Sequence, residues 1–239
     1  MTSSFHDTRW TLVSRSRGIE PEARAALSEL CEAYYAPVVA FLRRDGRDED
    51  AARELAHDFF AKLLAGGAID GADSLRGRFR TYLLAALKHF AADQRARLQA
   101  AKRGGGFIHE VIEAESHETG SGLQIADAKA EAPDVAFDRQ WALTVLSRAM
   151  CSMGASLATE GKAILFETLK PHLTADPETL PLRQVGESLG LSEDAVKMAI
   201  HRLRKRFREA VKTEISQTVQ NPVAVQDEMT ALTQALRGG

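Results

Sequence analysis

The chain has 239 residues, of which 44% are hydrophobic and 6% aromatic, and its 31 Lys and Arg nearly balance 33 Asp and Glu, for a formal net charge of -2. This length and apolar content suffice for one large core or two small ones, which excludes a chain that stays unfolded. The near-neutral charge excludes a global attraction to nucleic acid, so any such function depends on the local distribution of charge.

The N-terminal segment and the cysteines indicate a reducing, cytoplasmic compartment. The opening MTSSFHDTRW lacks the basic-then-apolar pattern of a secretion signal, and no apolar run approaches the roughly 20 residues that span a bilayer. Cys31 and Cys151 lie far apart and fit neither a disulfide framework nor a metal-ligand spacing. We therefore expect a cytoplasmic protein with no membrane partner and with reduced, buried thiols.

Three segments with apolar residues at helical spacing predict a helical bundle over residues 1–105. The apolar positions are Leu27, Leu30, Tyr34, Val38 and Phe41, then Ala52, Leu55, Phe59 and Leu63, then Phe79, Tyr82, Leu83, Ala86, Leu87 and Phe90. Abundant Ala, Leu, Arg and Glu lose little rotamer freedom in helices, so the predicted fold class is all-α. Pro37 lies inside the first segment and lacks an amide donor, which predicts a kink or a break there.

The sign of the charge reverses after the bundle. The stretch from Arg76 to Gly106 is strongly basic, whereas the stretch from Phe107 to Asp138 is strongly acidic. Glycines at the start of the acidic stretch, the GSG at 120–122 and Pro133 oppose a continuous packed helix. We predict a flexible acidic linker over residues 106–135, which joins two small helical domains.

The most specific local pattern lies in the second domain, predicted over residues 136–215. The segment LRQVGESLGLSEDAVKMAIHRLRKRF, residues 182–207, has the pattern of a helix-turn-helix. Gly190 supplies the turn and Ser192 the N-cap, so the second helix is predicted to begin near Glu193. Gly186 stands where such units usually carry Ala, which predicts a weaker first helix. Beyond it, residues 216–239 carry apolar residues at helical spacing and predict an extra helix.

The second helix of this unit is basic enough to enter a DNA major groove. Lys197, Met198 and His201 are predicted to face base edges, and the cluster from Arg202 to Arg206 to meet phosphates. The alternative is an amphipathic helix whose basic face is merely solvated. The Gly190 turn favours the DNA-binding interpretation.

Motifs in both halves carry a family resemblance. DEDAARELAHDFFAKLL, then FRTYLLAALKHFAADQRAR, then the helix-turn-helix resemble, in this order, the bacterial sigma factors of the extracytoplasmic-function type. The TRWTLV opening, the KRGGG stretch and the EISQTVQNPVAVQDEM tail are similar to a subgroup abundant in planctomycetes. The resemblance implies a sigma region 2-like bundle, a sigma region 4-like helix-turn-helix domain, and two partners, core RNA polymerase and promoter DNA.

The resemblance also implies three sets of site residues. The set for core-polymerase binding is Asp48, Glu49, Asp50, Glu54, Asp58, Phe59 and Lys62. The set for the downstream (minus-10) promoter element, including melted single-strand DNA, is Lys88, His89, Asp93, Gln94, Arg95 and Arg97. The set for the upstream (minus-35) element is Ser192, Lys197, Met198, His201, Arg202 and Lys205.

The two adjacent phenylalanines of the polymerase-binding helix are candidate anchors in an apolar groove of the polymerase. Neighbouring positions on a helix lie about 100° apart and rarely share a face. We therefore predict that one of Phe59 and Phe60 is core and the other partly exposed.

Other function classes are less well supported by the sequence. His57 and Asp58 form a dipeptide that also occurs in metal-dependent phosphohydrolases, but further His and Asp ligands around it are not evident. No phosphate-binding glycine loop or hydrolase motif is present, so we predict a non-enzyme with no cofactor, metal or small-molecule substrate. The main alternative is a polymerase-independent helix-turn-helix transcriptional regulator, followed by an interaction adaptor. An anti-sigma factor, a regulatory kinase and the C-terminal tail remain open as means of inhibition.

Overall fold

A computed structural model describes residues 20–65, 78–104, 131–174, 181–219 and 222–237. These residues are all-α, as predicted, and their only β-type pairing is an isolated antiparallel bridge between Arg78 and Val219. The helices in this part of the chain are α1 Pro21–Arg44, α2 Glu49–Leu64, α3 Phe79–Gly104, α4 Pro133–Thr159, α5 Ala163–Leu169, α6 Pro171–Thr174, α7 Leu182–Leu189, α8 Glu193–Ser216 and α9 Pro222–Arg237. The predicted C-terminal helix is therefore present as α9.

Helix α1 begins at Pro21, whose fixed φ suits a first helical position, and it continues through Pro37 as one helix. Of the two alternatives that the sequence predicts at Pro37, a kink or a break, the break is wrong. The helix ends at Arg44 with Asp45 as its C-cap, and Gly46, at φ 95°, turns the chain toward α2. Asp48 caps α2 by accepting a hydrogen bond from the Ala51 amide at 2.8 Å, which satisfies an otherwise unpaired donor.

Helix α1 is also the one described helix that is long and apolar enough to cross a membrane by length and composition. Its most apolar window has a mean hydropathy of 1.2 and is half buried in the protein. A core helix passes the same test, and Leu30, Tyr34 and Val38 of α1 lie in the core.

The larger core joins α1, α2 and α3 to the first half of α4, the end of α8 and α9. Its centre is aromatic. Tyr34 of α1 packs edge-on against Phe79 of α3, with ring centroids 5.0 Å apart, and stacks on Phe137 of α4 at 6.3 Å. Such pairs contribute about 0.5–1.5 kcal/mol beyond their buried area. The predicted bundle thus shares its core with helices from the second half of the chain.

A smaller core lies under the helix-turn-helix. It contains Met153 and Leu157 from the second half of α4, Phe166 from α5, and Val196 and Ile200 from the first half of α8. Because α4 and α8 each contribute to both cores, the two cores are connected by continuous helices. The predicted linker, except for residues 131–135, lies outside the described residues, and α4 begins within it, at Pro133. The division into two domains stays a prediction.

Two expectations about single side chains are wrong. Phe59 and Phe60 are both buried, with 3% and 7% of their surfaces exposed. Phe59 packs against Phe90 of α3 at 5.5 Å and Phe60 against Tyr35 of α1 at 6.2 Å, because α2 lies between these helices and buries two of its faces. Of the two thiols, Cys31 is buried as expected, and burial raises its pKa to about 12, but Cys151 is exposed.

Candidate nucleic-acid interface

The turn between α7 and α8 has the geometry that the sequence predicts. Gly190 ends α7 in the left-handed region at φ 66°, and the Ser192 hydroxyl caps α8 by accepting a hydrogen bond from the Ala195 amide at 3.3 Å. The Leu191 amide donates to the Gly186 carbonyl at 2.8 Å and fixes the close approach of the turn to α7. Leu191 itself is 37% exposed and lies outside the core.

Gly186 is required at this close approach. A Cβ atom built at Gly186 would lie 2.6 Å from the Leu191 carbonyl oxygen and 3.6 Å from a Val196 methyl group. The first distance is shorter than real Cβ contacts, and the atom it meets belongs to the backbone. Gly186 is therefore a packing requirement here, in addition to its predicted cost in helix propensity.

The predicted upstream-element residues form one exposed face of α8. Met198, His201, Arg202 and Lys205 are all solvent-exposed and repeat at helical spacing. Arg202, Lys205 and the neighbouring Arg208 make no ion pair within the described residues. The side chain of Met198 is 53% exposed beside them, which provides an apolar surface of the kind that contacts a thymine methyl group. We refer to Met198, His201, Arg202 and Lys205 as the reading face.

Other basic side chains of α8 are engaged within the protein. Arg206 donates twice to Glu160 at the end of α4, at 2.5 and 3.0 Å, and hydrogen bonds from Arg206 and Lys162 lower the pKa of Glu160 to about 2. Arg204 donates to the His172 carbonyl at 3.0 Å. Within the cluster predicted to meet phosphates, Arg202 and Lys205 therefore make no ion pair in the described part of the chain, whereas Arg204 and Arg206 have partners in the protein; the phosphate role stays a prediction.

Ser192 and Lys197, at the N-terminal end of α8, both have partners within the protein. Lys197 pairs with Glu193 at 2.8 Å and with Asp194 at 3.5 Å, and both partners are exposed. Exposed pairs of this kind are weak, about 0–1 kcal/mol, so a DNA phosphate can replace them. The Ser192 hydroxyl accepts the capping hydrogen bond of α8, and this bond fixes where the helix that carries the reading face begins.

The predicted downstream-element residues divide between two sides of α3. Lys88 and Arg95 lie on the same flank as Arg80, within about 80° around the helix axis, and we call Arg80, Lys88 and Arg95 the basic strip. His89 and Asp93 lie about 100° or more from Lys88 around the axis and are exposed, as is Arg97 near the end of the helix; Gln94 is half-buried.

Each member of the basic strip is paired with a carboxylate. Lys88 pairs with Asp134 of α4, Arg95 pairs with Asp45 at the end of α1, and Arg80 donates to Asp138 of α4 at 2.5 Å. Arg80 also donates to both carboxylate oxygens of Glu228 in α9, at 2.9 and 3.1 Å.

In the Arg80–Glu228 pair, Glu228 is buried and Arg80 is largely buried. Only 1% of Glu228 is exposed, and the Arg80 guanidinium lies 4.6 Å from the centroid of the Trp141 ring. Burial alone would lower the pKa of Arg80, but hydrogen bonds and charges from Glu228 and Asp138 outweigh it and raise that pKa. Sequence analysis missed this network. A signal was present, because Glu228 falls on the same helical face as the apolar Val225 and Leu232.

The acids predicted to bind polymerase lie mostly on one ridge of α2. Asp50, Glu54 and Asp58 are spaced four residues apart and exposed, and they form no ion pair in the part of the chain that the structure describes. We call these three residues the acidic ridge. Glu49 is engaged instead, with Arg53 at 2.5 Å and Arg43 at 3.6 Å.

Two further members of the predicted polymerase-binding set, Phe59 and Asp48, have structural roles in the protein. Phe59 is buried, which corrects its predicted role as a surface contact, and Asp48 caps the helix. Lys62 is exposed, with its ammonium 5.9 Å from the centroid of the Phe90 ring.

The described residues contain no group of three or more His, Cys, Asp or Glu side chains arranged to hold a metal ion. Comparison of the chain with protein-family models, with curated proteins and with solved structures finds no match.

Proposed function

We propose that the protein is a sigma factor of the extracytoplasmic-function type, which binds core RNA polymerase and directs promoter recognition, DNA melting and transcription initiation. One observation carries the proposal. The chain presents two exposed surfaces of opposite charge, the reading face on α8 and the acidic ridge on α2, and neither is neutralised within the described residues. A DNA-binding protein that works alone needs only the first of them.

The reading face is suited to duplex DNA. It follows a capped helix-turn-helix turn, so its position relative to α7 is fixed by Gly190, Ser192 and the close contact at Gly186. Arg202 and Lys205 supply phosphate contacts, while Met198 and His201 lie nearer the start of α8, where base edges are met. This surface serves promoter recognition at the upstream element.

The acidic ridge is suited to a basic protein partner. Three carboxylates along one exposed ridge give electrostatic complementarity, which raises association rates and selects partners of opposite charge. DNA is excluded as the ligand of this surface because both are negative. In the sigma factors that the sequence resembles, the corresponding helix grips the polymerase clamp, and the ridge provides that contact here.

The test is complex formation between the purified chain and bacterial core polymerase, measured by gel filtration. Glu54→Lys/Asp58→Lys reverses the charge of the ridge without touching the core, since both residues are exposed. Glu167→Lys/Glu187→Lys is the matched control, because these acids are also exposed and lie on α5 and α7. We expect the wild type and the control to co-elute with polymerase and the ridge variant to bind at least about tenfold more weakly.

A specific alternative is a helix-turn-helix regulator that acts without polymerase. It is favoured if the wild type binds duplex DNA through α8 but shows no complex with polymerase. Equal binding of polymerase by the ridge variant and the control would refute the role of the ridge.

A further inference from the structure

The two DNA-binding surfaces differ in their availability. On α8, Arg202, Lys205 and Arg208 are exposed and make no ion pair within the described residues. On α3, every member of the basic strip is paired, and the acids that pair with Arg80 and Lys88 come from outside the bundle of α1, α2 and α3. The surface for duplex DNA is open, whereas on the basic strip the Arg80 side chain is only 13% exposed and Lys88 and Arg95 are exposed but paired with carboxylates.

We propose that Asp134 and Asp138 of α4 together with Glu228 of α9 form an intramolecular clasp on Arg80 and Lys88, and that single-stranded DNA must displace this clasp to contact the whole basic strip. The inference rests on the proposed function, because DNA is taken as the ligand of α3. The carboxylates that pair with the basic strip are chemically similar to the phosphates of DNA. Carboxylates, like phosphates, accept charge-assisted hydrogen bonds from guanidinium and ammonium groups, so the two compete for the same donors.

Arg80 is the centre of the clasp. Its guanidinium donates to both oxygens of Glu228 and to Asp138, and its flat face lies on Trp141. These contacts use one donor on each of its three nitrogens and one of its faces, and only 13% of the side chain is exposed. A phosphate therefore cannot reach Arg80 unless α9 and the start of α4 move away from α3.

The backbone delivers Glu228 to this position. The Phe79 amide donates to the Thr218 carbonyl at 3.1 Å, and the bridge between Arg78 and Val219 lies beside it. The segment before α9 is thus bound to the first turn of α3. Arg78 extends the contact by pairing with Asp227 at 2.5 Å and with Glu228 at 3.3 Å.

The test uses the full-length chain and a short fluorescent single-stranded DNA oligonucleotide of mixed sequence, with affinity measured by anisotropy. Glu228→Gln keeps the shape of the side chain but removes its charge. Glu167→Gln makes the same charge change on α5, far along the chain from α3 and its partners, and serves as the control. A duplex of the same sequence, which binds through α8, is measured in parallel.

We expect Glu228→Gln to bind the single strand at least about fivefold more tightly than the wild type, because the fraction of molecules with an open strip rises. Glu167→Gln should match the wild type, and duplex affinity should be equal in all three proteins. The clasp is refuted if Glu228→Gln and Glu167→Gln bind the single strand equally. It is also refuted if Glu228→Gln tightens single-strand and duplex binding alike, since that would be a general effect of charge.

A second variant covers the case in which Glu228→Gln loses its helical circular-dichroism signal. Asp134→Asn/Asp138→Asn changes two partly exposed acids at the start of α4, leaves Glu228 in place and is judged by the same criteria. Polymerase binding is measured on the same samples. Tighter single-strand binding without a polymerase complex would leave the clasp standing and refute the sigma assignment, whereas a polymerase complex without tighter single-strand binding would refute the clasp alone.

Discussion

The contact at Gly186 yields a prediction opposite in sign to the one that helix propensity gives. In an unstrained helix interior, replacing Gly with Ala stabilises a protein by about 1 kcal/mol. In α7 the new methyl group would lie 2.6 Å from the Leu191 carbonyl oxygen, which belongs to the turn and cannot rotate away like a side chain. Overpacking of this kind costs about 1–3 kcal/mol. Displacement of the turn would also weaken the 2.8 Å hydrogen bond from the Leu191 amide to the Gly186 carbonyl, at a further cost of about 0.5–1.5 kcal/mol.

We therefore expect Gly186→Ala to lower the free energy of unfolding by about 1–2 kcal/mol, or Tm by roughly 2–8 °C for a chain of this size. Urea unfolding followed by circular dichroism measures the first quantity. Ser188→Ala, at an exposed position of the same helix, is the control and should be neutral or slightly stabilising. If Gly186→Ala is as stable as the wild type or more stable, the backbone approach is looser than described and the reasoning is wrong.

Three further predictions follow from the packing and the ion pairs. Phe59→Ala should lower the free energy of unfolding by about 3–5 kcal/mol in urea titrations, because the side chain fills the space between α2 and α3; a loss below about 1 kcal/mol would contradict its burial. Lys205→Ala should weaken duplex binding similarly across sequences and reduce the slope of log affinity against log salt by about one, and an unchanged slope would exclude a phosphate contact. The pKa of Glu160 is lowered from 4.5 to about 2 by Arg206, so the pair stabilises the folded state above pH 4.5 and this contribution is lost as pH falls from 4.5 to about 2. Glu160→Gln should thus be less stable than the wild type near neutral pH and equal to it near pH 2, as thermal melts can check; a stability difference that does not shrink with acid would refute the pair.

Local features of the fold could be predicted from the sequence because their causes are local. The turn at Gly190, the cap at Ser192 and the start of α8 at Glu193 depend on residues within a few positions of one another. Helical periodicity likewise predicted the all-α class and the extra C-terminal helix. The reading face followed from the same spacing, since an exposed stripe is the complement of a buried one.

Features that depend on which helices meet could not be predicted in this way. The burial of both Phe59 and Phe60 arises because α2 is covered by α1 on one side and by α3 on the other, whereas a one-faced helix was assumed. The ion pair between Arg78 and Glu228 joins residues 150 positions apart, and periodicity carries no information on such partners. The packing role of Gly186 could not be predicted for a related reason, because propensity describes an isolated helix and not the turn that packs against it.

The different states of the two basic surfaces bear on the order of events at a promoter. Duplex DNA can contact the reading face of α8 without any change in the protein, because its basic side chains already face solvent. In the proposed clasp, a melted strand reaches Arg80 of α3 only when that side chain leaves Glu228, Asp138 and the Trp141 ring. A ligand shifts such an equilibrium only by its differential affinity for the open form, so single-stranded DNA has to overcome the clasp while duplex DNA does not. On the proposed function, duplex recognition through α8 therefore precedes strand capture by α3, and any partner that separates α9 from α3 favours the second step without affecting the first.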